Sequence, residues 1–315
     1  MSFRGYLSMY RKMLRLILWV VLWTLPGFIL AAPKGVGPFT VVTPQGKASI
    51  RLIRRDGNMV WIQRRTASGT LVEAGMPVKD IVRFEISRPG FFSAAEKARK
   101  PNVLQQAARA LQSMSSKLKP YRDMPGMLVD EAVYLEGIIH ERTEDWRRAL
   151  ACFNEIVEQP YETDITPLAQ LHAGLCMVEL GQADKALELL DTTLLNDDNV
   201  ALVSRVYFAR GKSLEARGKY EQAIMHYLYP VVFFPYVDRN EVRGLAGAMS
   251  CYLAMKDWDA AYKTYRVLQR EYPEAEETAQ VEIMMEAHRD KIDREKQFQI
   301  DDNTDEEQRE RIEVL

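Results

Sequence analysis

The chain is short of the residues that carry most chemistry. It has four histidines and three cysteines in 315 residues. His140, His172, His226 and His288 are far apart, and none belongs to a His-Glu-x-x-His arrangement. No metal ligand set follows from the sequence. Cys152, Cys176 and Cys251 form an odd set among Ala, Leu and Tyr, where cysteine acts as a small hydrophobe. An odd count argues against a disulfide framework, although adjacent hairpins could bring Cys152 near Cys176. There is no phosphate-binding glycine loop, since Gly35-Val36-Gly37 precedes a strand. No Gly-x-Ser-x-Gly elbow is present. These gaps leave an enzyme as the third-ranked reading and give no reason to expect a cofactor. Net charge is −2, so the bulk charge does not point to nucleic acid.

Long hydrophobic runs are also scarce, with one at the N-terminus. Arg4, Arg11, Lys12 and Arg15 precede the apolar Leu16–Leu25, Pro26-Gly27 breaks it, and Ala31-Ala32 offers small residues for cleavage. Residues 1–32 therefore read as an export signal, giving a periplasmic or secreted protein. The alternative is an uncleaved anchor, because residues 16–32 reach the roughly 17 needed to span a bilayer. No cysteine ends the run, so lipoprotein processing is not expected.

What the chain does have is a repeat. Gly137, Gly174 and Gly211 each lie twelve residues before an alanine, at 149, 186 and 223, and a bulky residue follows four later as Phe153, Leu190 and Tyr227. Met249, Ala261 and Tyr265 make a fourth copy without the glycine. The alanines at 149, 186, 223 and 261 set a period of 37, 37 and 38 residues. Such a period means stacked helical hairpins. Glu131–Arg142 and Trp146–Glu158 read as the first pair of helices. Thr166-Pro167 starts the second copy, and the turns fall at Thr143-Glu144-Asp145, Gly181-Gln182, Gly218-Lys219 and Lys256-Asp257. A glycine on one helix and an alanine on the other let the two backbones approach.

At these residues the chain resembles the tetratricopeptide repeat family, and Pro273 falls where that family often ends a unit. The period is longer than the family's usual ~34 residues. The resemblance implies a mainly α solenoid of about four hairpins over residues 128–273, closed by capping helices at 91–127 and 274–298. It further implies that the first helix of each hairpin lines a concave face gripping a partner's peptide or helix.

Helical spacing around each glycine selects the exposed positions. These are Glu131, Tyr134, Ile138 and Glu141, then Leu168, Leu171, Leu175 and Val178, then Arg205, Phe208, Lys212 and Glu215, then Arg243, Ser250 and Leu253. The Leu and Val set reads as core. Tyr134, Glu141, Arg205, Phe208, Lys212 and Arg243 are the candidate partner-binding residues, aromatic and arginine side chains being enriched where interfaces are strongest. The family's lysine and asparagine clamp for a C-terminal carboxylate is not matched. Tyr227–Tyr236 reads as core packing for the fourth hairpin.

The flanks differ in period. Residues 33–90 hold five short β-rich runs, Phe39–Thr43, Ala48–Arg54, Asn58–Arg64, Thr70–Glu73 and Ile81–Ser87, with Asp56-Gly57 as a hairpin signal. Their layout resembles a small SH3-like or Sm-like barrel. Basic residues outnumber acidic ones here, and Arg51, Arg54, Arg55, Arg64 and Arg65 lead them. They read either as a solvated face or as a docking surface for an anionic polymer or lipid. Ser93–Lys119 reads as one covering helix, with Val103, Leu104, Ala107, Leu111 and Leu118 on one face. Glu276–His288 reads as the closing helix with Ala279, Ile283 and Ala287 apolar, and residues 299–315 read as an acidic, disordered tail.

The whole reads as an exported, non-enzymatic scaffold that holds protein partners in a cell envelope. The rival is a binding module attached through its basic β domain.

Overall fold

The structure is a computed structural model that describes residues 35–194, 199–235, 237 and 239–293. The export-signal stretch and the acidic tail lie outside the described residues. The chain divides into two compact units between Glu85 and Ile86.

The first unit is a five-stranded antiparallel sheet: β1 Val36–Thr43, β2 Gly46–Asp56, β3 Met59–Arg65, β4 Leu71–Pro77 and β5 Arg83–Glu85. The strand order is β4-β3-β2-β1-β5. A 3₁₀ turn at Val78–Asp80 follows β4, and β5 then pairs with β1 through Val41↔Phe84. Asp56 pairs with Met59 across the turn carrying Gly57, whose φ of 56° suits the tight hairpin. Strand alternation turns Ile50 and Leu52 of β2, and Val60 and Ile62 of β3, into the core with Val41 and Phe84.

The second unit is helical. Helices α1 Gly90–Lys97 and α2 Pro101–Leu118 come first. Where one helix was expected from Ser93 to Lys119 there are two. Lys100 is extended (ψ 129°), as the residue before a proline is driven to be. Phe92, Leu104, Ala107 and Leu111 then pack on Ala132, Leu135 and Ile139, which covers the open end of the repeats. A 3₁₀ turn at Lys119–Tyr121 leads into the hairpins. Arg122 behind it is buried and donates to Asp130 and to the Glu155 carboxylate, the latter at 2.9 Å.

Four hairpins follow: α3 Val129–Arg142 with α4 Trp146–Val157, α5 Thr166–Glu179 with α6 Ala183–Leu194, α7 Val200–Ala216 with α8 Tyr220–Phe233, and α9 Asn240–Met255 with α10 Trp258–Glu271. One turn geometry recurs in all four. Glu144, Gly181, Gly218 and Lys256 have φ of 58°, 74°, 69° and 63°. The next residue's N–H reaches back to the carbonyl five residues earlier: Asp145 to His140, Gln182 to Met177, Lys219 to Leu214 and Asp257 to Tyr252. This bond satisfies a carbonyl the helix end would leave open.

The glycine frame works as a steric slot. A Cβ on Gly137 would stand 2.7 Å from the Phe153 ring, one on Gly174 2.8 Å from Leu190, and one on Gly211 2.7 Å from Tyr227. In the fourth copy Met249 fills that place and is fully buried, while Tyr265 is half-buried where its counterparts are buried.

Helix α11, Glu276–Glu286, closes the array with Val281 and Met285 in the last core. The expected apolar face was the wrong one: Ala279, Ile283 and Ala287 are exposed, Ile283 by 73%. Two stripes compete on this short helix, and the one carrying Val281 and Met285 meets Leu253 and Leu268. The Tyr227–Tyr236 stretch divides as well. Tyr227 and Pro230 are buried, whereas Val232 and Phe233 are exposed and do not serve the core.

Candidate functional site

The first helices of hairpins two, three and four, with the closing helix, line a groove of about 470 Å³. Arg205, Phe208, Lys212 and Glu215 come from α7, a spacing of three to four residues that puts them on one helical face. Arg243, Ala246, Gly247 and Ser250 come from α9, and Leu171 and Leu175 from α5. Four of the six candidate partner-binding residues, Arg205, Phe208, Lys212 and Arg243, thus line one groove. The contribution of α11 was not foreseen: Glu277, Gln280 and Met284 form the far wall. An i, i+3, i+7 count on the closing helix could have suggested it, had that helix been treated as a fifth first helix.

Acidic residues tie the groove together. Glu215 accepts the Tyr227 hydroxyl on one oxygen and the Ser250 hydroxyl on the other, both at 2.6 Å, so α7, α8 and α9 are linked beneath the groove. Burial first, then the Glu215 charge, pushes the Tyr227 hydroxyl pKa up, so it stays a donor. Glu277 accepts from Arg239 and lies 3.7 Å from the Arg243 guanidinium. Lys212 is the looser cation, 55% exposed and 3.8 Å from Glu179.

Tyr134 and Glu141 do not line the groove, but a hydrogen-bond chain connects Glu141 to it. His172 on α5 contacts Glu141 at 2.6 Å through Nδ1 and Arg205 at 2.9 Å through Nε2. A guanidinium only donates, so Nε2 must accept and Nδ1 carries the hydrogen given to the carboxylate. Tyr134 packs edge-on to the same imidazole with ring centroids 5.6 Å apart. The chain Glu141–His172–Arg205 joins three successive first helices and presents the arginine to the groove. In the sequence His172 stands isolated from the other histidines, and its one signal is its place two residues before Gly174.

Leu171 and Leu253 are core residues with Leu171 fully buried, and Leu168 and Leu175 pack against the core of the second hairpin. Leu171 and Leu168 thus serve the core, whereas Leu175 both packs on it and lines the groove.

In the sheet unit the five arginines do not share a face. Arg51 and Arg54 pair with Gln63 and Trp61, while Arg55 pairs with Val60 and Arg64 with Ile50, two core residues. A register shift between Leu52 and Arg54 and the strand alternation put Arg51, Arg54 and Arg65 on one side and Arg55 and Arg64 on the other. Several are engaged: Arg54 donates to Asp56 at 2.9 Å and lies over Trp61, and Arg51, Arg55 and Arg65 donate to backbone carbonyls.

The three cysteines are free thiols. Burial pushes each of them up to about 12, with nearby carboxylates adding to the shift. The structure also gathers Glu136, His140 and Cys152, whose ligand atoms all lie within 4.8 Å of one another. Glu136 and His140 are an i, i+4 pair, and the hairpin brings Cys152 opposite Gly137. The sequence places them on the two helices of the first hairpin, but which faces meet is set by the packing of Cys152 against Gly137.

Among the described residues no helix is long and apolar enough to cross a membrane.

Residues 168–197 and 248–275 match the family model described as tetratricopeptide repeat. None of the curated proteins compared with the chain matches it. Several solved structures are similar. MamA, residues 41 to the end, from Desulfovibrio magneticus RS-1 is 17% identical with a TM-score of 0.44, over 58% of this chain and 94% of that one. PilW, a widely conserved type IV pilus biogenesis factor, is 17% identical with a TM-score of 0.47, over 61% of this chain and 80% of that one. The pilF protein of Pseudomonas aeruginosa is 16% identical with a TM-score of 0.41, over 62% and 77%. The two matched segments fall in the second and fourth hairpins, which are tetratricopeptide repeats, and the first and third hairpins carry the same phased glycine–alanine frame.

Proposed function

We propose that the chain is a non-enzymatic adaptor that holds a protein segment in the groove between α7, α9 and α11. The observation that carries this is the pairing of apolar and cationic side chains in one place. Phe208, Leu175 and Met284 offer contact surface, and Arg205, Lys212 and Arg243 surround it. The segment that fits is amphipathic, with a large apolar residue for Phe208 and acidic groups for the cations. The groove's own carboxylates favour this polarity, because Glu215 and Glu277 already accept hydrogen bonds from the protein.

The positively charged, apolar and small-residue pattern of residues 1–32 supports work outside the cytoplasm, in envelope assembly or secretion. Attachment of the sheet unit to an anionic polymer or lipid is the weaker reading, since its arginines are divided by the pleat and largely engaged.

The test uses the full chain as bait in a solubilised envelope fraction, beside a Phe208→Ala, Lys212→Glu variant. Both positions keep the Glu141–His172–Arg205 chain intact. A protein held by the first bait and lost from the second supports the groove. Equal capture by both, or capture of lipid or glycan alone, overturns it.

A further inference from the structure

We propose that Glu136, His140 and Cys152 form a zinc site on the first hairpin, remote in sequence from the groove residues and independent of the groove reading. Two of the ligands stand one helical turn apart on α3, which puts them on one face. The third comes from α4, and the glycine slot sets its position. The Cβ of Cys152 lies 3.1 Å from where a Cβ on Gly137 would stand. A larger residue at 137 would push the thiol away.

The ligand atoms lie within 4.8 Å of one another. Zinc bonds of about 2.0–2.3 Å to nitrogen, oxygen and sulfur place ligand atoms roughly 3.3–3.8 Å apart in a tetrahedron. Rotamer shifts of about 1 Å therefore close the site. A thiolate, an imidazole and a carboxylate suit zinc, whereas calcium and magnesium want oxygen alone.

Glu136 supplies the second observation. It is buried, and its ion contact among the described residues is the His140 ring nitrogen at 3.9 Å, too long for a hydrogen bond. Its carboxylate opens onto the adjoining cavity, where it has no protein donor among the described residues and a cation can reach it. Of the cations that line the same cavity, Lys119 and Arg148 are directed to Glu155 and Asp145, and Arg109 makes no ion pair with Glu136 among the described residues. A metal ion would satisfy Glu136 and hold Cys152 as the thiolate, reversing the effect of burial on that group.

The three residues border a cavity of about 660 Å³, whose opposite wall carries Gln112, Ser115 and Ser116 of α2. A fourth, exchangeable position on the metal faces this space. Three protein ligands and an open position are the pattern of zinc that binds water or a small anion.

The full chain, stripped with a chelator, is titrated with zinc chloride by calorimetry and with cobalt(II) by absorption. One ion per chain is expected, with a thiolate-to-cobalt band. Cys152→Ser and His140→Ala should each weaken binding by about tenfold or more, while Cys251→Ser leaves it unchanged. Circular dichroism checks that each variant is folded. If a variant does not fold, alkylation of the unmodified chain decides, because zinc should slow labelling of Cys152 and not of Cys251. Absence of saturable binding, affinity unchanged by both ligand variants, or protection of a different thiol overturns the site.

Discussion

Tyr227 donates its hydroxyl to Glu215 at 2.6 Å while its ring is clasped between two glycines. A Cβ on Gly211 or on Gly247 would each come within 2.7 Å of that ring. One residue of the second helix thus links its own hairpin to the next and fixes the carboxylate that underlies the groove. Stacking and site geometry meet in this side chain.

Gly211→Ala tests the slot. A helix interior ordinarily gains about 1 kcal/mol when glycine becomes alanine. Here the ring cannot retreat, since Gly247 closes its other side, and overpacking costs about 1–3 kcal/mol. The expected outcome is a net loss of stability, read as a lower urea midpoint with unchanged slope. A midpoint at or above that of the parent would show that the ring has room to move.

The four left-handed turn residues allow the opposite experiment. Gly181 and Gly218 adopt positive φ freely, whereas Glu144 and Lys256 hold the same conformation with a side chain. That conformation costs a side-chain-bearing residue about 1–2 kcal/mol, partly offset by the greater freedom of glycine in the unfolded chain. Glu144→Gly and Lys256→Gly should each stabilise the protein by up to about 1 kcal/mol. Thermal melts of the single variants and the pair would show it, and a fall in either melt would count against the strain.

The repeat was legible because its constraint is steric and therefore periodic. Gly137, Gly174 and Gly211 must stay small for Phe153, Leu190 and Tyr227 to fit, and that requirement is written at fixed offsets. The five strands were legible for a similar reason, through alternation and the Asp56-Gly57 turn. Features set by a single packing choice were not. Helix α11 had two apolar stripes, and the buried one follows from its contact with Leu253 and Leu268. The groove wall at Glu277 and Met284 and the link from Glu141 to Arg205 depend on how hairpins stack, a relation between residues over thirty positions apart.

That link yields a third prediction. In His172→Phe the aromatic packing on Tyr134 and Phe153 is kept, but Glu141 loses its donor and Arg205 its acceptor. Leaving such partners unmatched costs about 1–3 kcal/mol. Glu141→Gln still offers an acceptor and should cost less. Chemical denaturation of both variants separates the two, and equal losses would mean that the hydrogen-bond chain contributes little.

Alkaline pH provides the last test. Burial raises Cys152, Cys176 and Cys251 from 9.0 to about 12. In the unfolded chain these thiols ionise first, so above that point the unfolded state holds fewer protons than the folded one. Stability is therefore intact below roughly pH 9 and falls as the pH rises from there towards about 12. Tyr227, raised in the same direction by burial, adds to the fall at the upper end. Urea midpoints of chelator-treated protein measured at intervals from about pH 8 to 10.5 should decline. In Cys251→Ala, which removes one fully buried thiol, the decline should be shallower. A midpoint that stays level across that range would mean that the thiols ionise as readily in the folded protein as in the unfolded chain.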